Sequence, residues 1–496
     1  MVGQLELLVI IPLLAAAGIL AGAPGRPVAV VAALVNLVLS VLVWVQFDRS
    51  VAPEVLQMTT DRIVVPEPRI ALAFGVDGIS LVMMILTTVV TVAAAFMSAP
   101  PAGAEGNARL AFASPLLISA GALGAFLATD LFFFFAFHEL ALIPTFLMIG
   151  MMGHGPDRMG AAWRITIYLG LGSLIVLAGL LALVAASGGN SFSIPALAEL
   201  AASGAFDSSE QRWIYGVLLL GFGILISLFP FHSWAAPAYA AAPAPVAMMH
   251  AGVLKKFGLY GLLRVAMPLL PEGHEAWVPL LLVLLLGNIL YIGLITISQD
   301  RLDRMLGYSS VMHMGYVFLG MASGNAIGLS GAILLMFAHG ISVALLFGLT
   351  GELRKAAPTL DLLSMGGLGK AAPALCFAFG IGAFASIGLP GFANFSAELL
   401  VFFGGFKGYA GGGLNPLQVT TVLALWGVVI SAVYMLRAYR RVFLGEPLAP
   451  RALSDLGPGV RLGSGMLILV LLAVGVYPTL LLDVLKGPVE VILGQR

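Results

Sequence analysis

The chain has 496 residues, of which 60 % are apolar and only 10 % charged, and its 24 basic and 24 acidic side chains cancel. Globular domains carry about 25 % charged residues, so these few could not cover the surface of a soluble chain of this length. Zero formal charge leaves no basic surplus to neutralise phosphates, which argues against nucleic acid as a partner. The single cysteine, Cys376, excludes a disulfide framework and a thiolate metal site.

A helix needs about 20 apolar residues to cross a bilayer. Runs of that kind fall near 5–22, 28–46, 76–98, 112–130, 131–152, 162–187, 211–230, 243–266, 277–298, 304–323, 327–351, 372–403, 418–438 and 463–483. The expected fold is an all-α polytopic membrane protein of about fourteen spans. Barrel strands would alternate apolar and polar residues, and these runs do not. The first run is too long, and too soon followed by another, for a cleaved signal peptide.

Lys and Arg set orientation. Loops after odd-numbered spans hold fourteen, and loops after even-numbered spans with the tail hold seven. Lys255, Lys256 and Arg264 fall inside the eighth span. The bias puts both termini of a multi-pass protein outside the cytoplasm, and richness in Ala and Gly points to a bacterial inner (plasma) membrane. The longest gaps, near 47–75 and 187–211, leave no room for a soluble domain. Nucleotide, flavin and iron–sulfur sites are therefore expected on other chains.

Two spans look broken in related ways. The seventh ends in Phe229-Pro230-Phe231-His232-Ser233-Trp234, and the twelfth contains Gly388-Leu389-Pro390-Gly391. Proline removes an amide donor and clashes with the preceding turn, and irregular backbone survives at membrane depth only where protein or a wet cavity satisfies it. Paired breaks five spans apart are the mark of an internal repeat with the transport path at the breaks; the plainer alternative is two ordinary proline kinks. The expected layout is 1–110 for spans one to three, 111–270 and 271–445 for two five-helix inverted repeats, and 446–496 for a loop and the last span.

A charge at mid-membrane costs about 2.5–3.5 kcal/mol on insertion scales. Glu139, Lys255, Lys256 and Glu398 each incur that cost. Glu139 lies in an aromatic run, and Glu398 lies eight residues past Pro390. Lys255 and Lys256 are adjacent, about 100° apart on a helix, and cannot both face one partner. His138, His232, His250, His313 and His339 fall in or beside spans, while His154 and His274 read as loop residues. Imidazole both donates and accepts, which suits a proton relay near neutral pH. No His/Cys spacing fits a metal, no glycine-rich phosphate loop appears and no nucleophilic triad is suggested. Acids, lysines and histidines strung over several helices fit proton or ion translocation rather than catalysis by covalent chemistry.

Several blocks then resemble a known family. Gly75-Val76-Asp77-Gly78-Ile79-Ser80, Glu139-Leu140-Ala141-Leu142-Ile143-Pro144, Tyr168 to Ser173, and His250 to Arg264 ("LAGxLLKxGxYGLLR") stand in order. So do Gly307-Tyr308-Ser309-Ser310 with His313-Met314-Gly315, Ala338-His339-Gly340, and Gly388 to Glu398 ("GLPGxxxFxxE"). Together they are similar to the antiporter-like chain M (chain 4) of respiratory complex I, the proton-translocating NADH:quinone oxidoreductase, from residue 75 to about 445. The resemblance implies a non-redox translocase subunit with no cofactor of its own. FMN, iron–sulfur clusters and quinone would sit in partner subunits, and neighbouring antiporter-like chains would flank it in the lipid bilayer. It also implies roles: Glu139 couples to the neighbouring subunit, Lys256 centres the buried polar axis, Glu398 ends it, and His313 and His339 line the path between.

The departures are concentrated on the seventh span. The family's lysine there is Leu225, and its motif "FHxWLPDAH" reads Phe231-His232-Ser233-Trp234-Ala235-Ala236-Pro237-Ala238-Tyr239, so Tyr239 replaces the second histidine. Either Lys255, with His138 or His250, supplies the missing ammonium to Glu139, or the first half of the path is inactive. The cost of an unpaired acid favours compensation. Two other assemblies share such chains: multi-subunit sodium/proton antiporters and membrane-bound energy-converting hydrogenases. The co-purifying subunits discriminate among the three.

Overall fold

The computed structural model describes residues 3–99, 108–357, 359–446 and 455–494. Arg451 and Arg496, counted for orientation, lie outside the described residues, as does most of the loop before the last span. Ten helices in the described residues are each long and apolar enough to cross a membrane alone. They are α1 (Gln4–Ala21), α2 (Gly25–Gln46), α3 (Gly78–Met97), α4 (Ala108–Leu127), α5 (Leu131–Met152), α6 (Arg158–Ala186), the run Pro271–Ile297, and three later helices, α16 (Ala326–Ala356), α20 (Pro416–Phe443) and α21 (Pro458–Val476). The other crossings are helix α15 (Leu302–Ala322) and three that are built from pieces. Those are α8 (Ser208–Ile226) with α9 (Ala235–Ala241), the run from α10 (Ala244–Met249) through α11 (Lys256–Gly261) to α12 (Met267–Leu269), and α18 (Pro373–Ile387) with α19 (Ala393–Phe406). The run Pro271–Ile297 is α13 (Pro271–Leu286) and α14 (Ile292–Ile297) joined by a π-helical turn, and α17 (Leu368–Ala371) is a single turn. The fold is a bundle of two five-helix repeats, with broken helices at 227–234 and 388–392.

The long gaps are not simple loops. The first holds an antiparallel hairpin, β1 (Gln57–Val65) and β2 (Ile70–Val76), and the second a short helix, α7 (Ile194–Ala202). Asp130 ties them to the bundle: its carboxylate accepts from the Ala71 amide at 3.0 Å and caps α5 through the Phe132 amide, also at 3.0 Å. The last apolar run ends earlier than its hydropathy suggests, at Val476, and residues 479–483 open a separate helix, α22 (Thr479–Ile492), which lies against α3.

Both breaks are satisfied by protein. At the first, Ser227 adopts a left-handed conformation (φ 66°) and ends α8. Asn288, in the π-helical turn Gly287–Tyr291, then accepts from the Phe229 amide at 2.7 Å and donates to the Ser227 and Val311 carbonyls. Trp234 donates from Nε1 to the Ile224 carbonyl at 3.0 Å. At the second, Gly388 takes φ 80° after α18, and its missing Cβ leaves room for a carboxylate: a Cβ there would lie 2.5 Å from Glu398 Oε2.

The centre of the bundle depends on a close helix crossing. A Cβ on Gly252 would meet the Gly340 carbonyl oxygen at 2.9 Å, and one on Gly340 would meet the Gly252 oxygen at 2.6 Å. Gly340→Ala forces these backbones apart, at about 1–3 kcal/mol for overpacking of this kind. The variant is expected to unfold at a lower temperature in detergent, with a loss of that size.

Candidate functional site

The eighth span carries the central cations, and its backbone is the reason they can sit there. The segment His250–Leu254 is a π-helical turn, in which the Lys255 amide reaches back to the His250 carbonyl at 2.9 Å. Such single turns leave the regular hydrogen-bond ladder out of step and recur at functional sites. Here the Ala251 carbonyl accepts from Lys256 Nζ at 2.7 Å, and the same ammonium reaches His339 Nδ1 at 2.9 Å. The Gly252–Gly340 crossing brings α16 close enough for that contact. Lys255 turns the other way: its Nζ donates to the Ser310 carbonyl at 3.4 Å and lies 5.8 Å from the centroid of the Tyr239 ring. Both lysines are buried.

From His339 the polar string runs on to α15 and the second break. The His339 and His313 rings lie 5.6 Å apart. His313 Nδ1 faces the Ser309 carbonyl at 2.8 Å, and its Nε2 faces the Ser386 carbonyl at 2.9 Å. Ser386 sits in the last turn of α18, where carbonyls lack helical partners. The His313 ring is thereby held between a carbonyl of its own helix and one freed at the second break. Glu398 lies beyond, buried, with Oε1 unpartnered among the described residues. One turn before it, Asn394 donates to Ser342 Oγ at 3.4 Å, and Ser342 in turn donates to the His339 carbonyl. Asn394 was not singled out from sequence; its i, i+4 spacing to Glu398 on α19 is the signal that could have found it.

The first half is arranged differently from the expectation. Glu139 accepts a hydrogen bond from Ser173 Oγ on α6 and lies 3.4 Å from His138 Nδ1. Its side chain is 39 % exposed and opens onto an outer cavity of about 180 Å³ between α5 and α6, lined by Ile143, Phe146, Ile165 and Leu169 among others. Lys255 makes no ion pair with it: Lys255 faces α15 and Tyr239, whereas Glu139 faces outward between α5 and α6. His138 is the only ion-pair partner of Glu139 among the described residues. His138 itself is buried and stacks on Phe257 with ring centroids 3.8 Å apart. Leu225, at the family's lysine position, packs its Cδ2 toward Gly172, next to Ser173. His250 is buried, with Nδ1 3.3 Å from the Tyr239 hydroxyl and Nε2 unpartnered among the described residues. His232 stacks on Phe229 in the first break. His274 is not a loop residue: it lies in the first turn of α13 and shares a 2.7 Å hydrogen bond with the Tyr215 hydroxyl.

No group of three His, Cys, Asp or Glu side chains that could hold a metal occurs among the described residues. The arrangement can pass protons between side chains. Broken helices around a buried polar string define an antiporter-like transmembrane subunit. The family model described as NADH:quinone oxidoreductase/Mrp antiporter, TM, matches residues 128–424, and the chain belongs to that family. It is 37 % identical over 443 residues to a Synechococcus elongatus protein named NAD(P)H-quinone oxidoreductase chain 4 1, covering 88 % of this chain and 80 % of that one. Its fold matches a chain of respiratory complex I from Thermus thermophilus with a TM-score of 0.86 and 28 % identity, over 98 % of this chain and 99 % of that one. A chain of the Mrp complex from Dietzia has the same fold, with a TM-score of 0.83 at 22 % identity, over 99 % of each chain. The resemblance drawn from the motifs is thus borne out.

His154, in the loop between α5 and α6, is pushed down to about 4 from 6.5 by burial, with the positive charge of Arg354 adding to the effect, Asp303 opposing it and Arg158 reinforcing it. Between 6.5 and about 4 the unfolded chain takes a proton that the folded chain refuses, so stability falls as pH falls through that window. Replacing His154 with Gln should flatten the pH dependence of thermal unfolding there.

Proposed function

We propose that this chain is the membrane-arm, antiporter-like subunit of an NADH:quinone-type oxidoreductase, moving protons across the membrane while partner chains carry out quinone reduction. The observation that carries the reading is the buried string of Lys256, His339 and His313 leading toward Glu398, with Glu139 and His138 on the flank of the same bundle. Its relatives' names place them in oxidoreductases of this kind, and their identity favours this reading over a hydrogenase subunit or an Mrp-type antiporter, the latter sharing the fold. FMN, iron–sulfur clusters and quinone belong to partner subunits. The half-exposed Glu139 cavity offers the face on which a neighbouring antiporter-like chain would bear. The excess of Lys and Arg in loops after odd-numbered spans orients both termini away from the cytoplasm of a bacterial inner membrane.

The mechanism follows from electrostatics at low dielectric. Charges a few ångströms apart shift one another's proton affinity strongly. A proton arriving at His339 disfavours the ammonium on Lys256, 2.9 Å away, and a proton leaving His313 toward Glu398 restores it. Glu139 reports on that charge from the flank through His138, while its exposed edge faces the next chain. Leu225 leaves the first half without its second lysine, so His138 is the group there that can answer Glu139.

The test is proton pumping by the whole complex in liposomes during NADH oxidation. Lys256→Met and Glu398→Gln are each expected to reduce pumping to the passive leak with assembly intact. Lys255→Met should do less, since Lys255 pairs with neither Glu139 nor a histidine in the string. Pumping that survives both Lys256→Met and Glu398→Gln would sink the reading.

A further inference from the structure

One cluster lies outside the string described above. Asp303, buried near the start of α15, accepts from Arg301 at 2.8 Å and from Arg354 at 2.9 Å. Arg354 Nη2 also donates to the Ala240 carbonyl at 3.0 Å, near the end of α9. Arg354 therefore stitches the end of α16 to α15 and to the far side of the first break. On one side of this knot, among the described residues, is a cavity of about 590 Å³ that touches Met97, His154, Pro243, Glu352 and Lys355. On the other is a pocket of about 20 Å³, lined by Asp303, Thr350 and Tyr239. His154, Ala244, Gly351 and Arg354 belong to both.

The inner pocket ends on Tyr239, whose hydroxyl lies 3.3 Å from His250 Nδ1, and whose ring is the one Lys255 approaches. A surface cavity thus narrows at a single ion-paired arginine and then reaches a hydroxyl bonded to a buried imidazole beside the central lysines. Arg354 is the cation common to both linings, and its charge in the throat repels a hydrated proton while the knot is closed. A tyrosine hydroxyl can donate and accept at once, so Tyr239, where the related motif carries histidine, can still pass a proton.

Resting on the proton-pumping reading, we propose that this cavity is the mouth by which protons enter the chain, that the Asp303–Arg354 pair is its latch, and that Tyr239 delivers the proton to His250. In that step the Tyr239 hydroxyl gives its proton to His250 Nδ1 and takes one from a hydronium ion on the cavity side. Tyrosine ends neutral, water is released and His250 gains one charge. The mouth opens on the side of the loops after odd-numbered spans, the basic side. By the Lys and Arg bias that side is the cytoplasm, from which an outward proton pump takes up its protons.

The test uses the purified complex in liposomes, with NADH-driven pumping read against assembly on native gels. Tyr239→Phe keeps the ring, packed edge-on to Trp234 and Phe347, and removes only the hydroxyl. Pumping should slow by roughly tenfold or more, the scale of a lost proton-transfer group, while Tyr239→His, which keeps a proton-carrying atom, should recover most of it. In a second arm, Cys376→Ser removes the native thiol and Thr350→Cys places one in the inner pocket. Asp303→Asn should then speed labelling of that thiol by a small membrane-impermeant reagent, and from one side only. Full pumping in Tyr239→Phe together with loss in Lys256→Met would overturn the entry route and leave the central string standing. Full pumping in both would overturn the pumping reading itself. Unchanged labelling in Asp303→Asn would overturn the latch.

Discussion

The burial of the Lys256 ammonium is the constraint on which the rest of the centre depends. A lone cation in the membrane interior is costly, and it persists only with partners that cannot move away. Lys256 has two: a backbone carbonyl from its own π-helical turn and an imidazole from α16. The first requires that the eighth span abandon regular helix at His250–Leu254. The second requires that α16 pass at a distance only glycines allow, at Gly252 and Gly340. An irregular turn in one helix and a small-residue crossing between two therefore serve one buried charge.

The two breaks solve a related problem in different ways. At the first, an amide side chain, Asn288, supplies both donor and acceptor to the irregular backbone. At the second, a freed carbonyl, Ser386, is used by His313, and the absent side chain of Gly388 makes room for Glu398. The first break is thus closed by structure, whereas the second lends its loose backbone to the polar string. That difference fits a chain whose seventh span has Leu225 in place of lysine while its twelfth keeps an acid.

Much of the fold was legible because membrane spans are written in length and hydropathy, which need no tertiary contacts to read. Both breaks were legible from proline and glycine for the same local reason. The hairpin at 57–76 and helix α7 were not, because short amphipathic elements in a gap between apolar runs carry too little pattern to separate from loop. His274 read as a loop residue because it falls between the apolar runs 243–266 and 277–298, whereas α13 already begins at Pro271, a position proline favours. Asn288 was hidden in an apolar run, since its role is set by the backbone of another helix.

By itself the sequence determined that this chain lives in lipid, how many times it crosses, and which few charges the bilayer should have excluded. It could not decide which of two adjacent lysines meets the histidine string or what pairs with Glu139. A π-helical turn adds a residue to one turn and so rotates everything after it by about 100°, and no helical periodicity counted along the chain reveals that slip. Only the folded bundle placed Lys256 against His339, turned Lys255 toward Tyr239, and left Glu139 with His138 at the outer face.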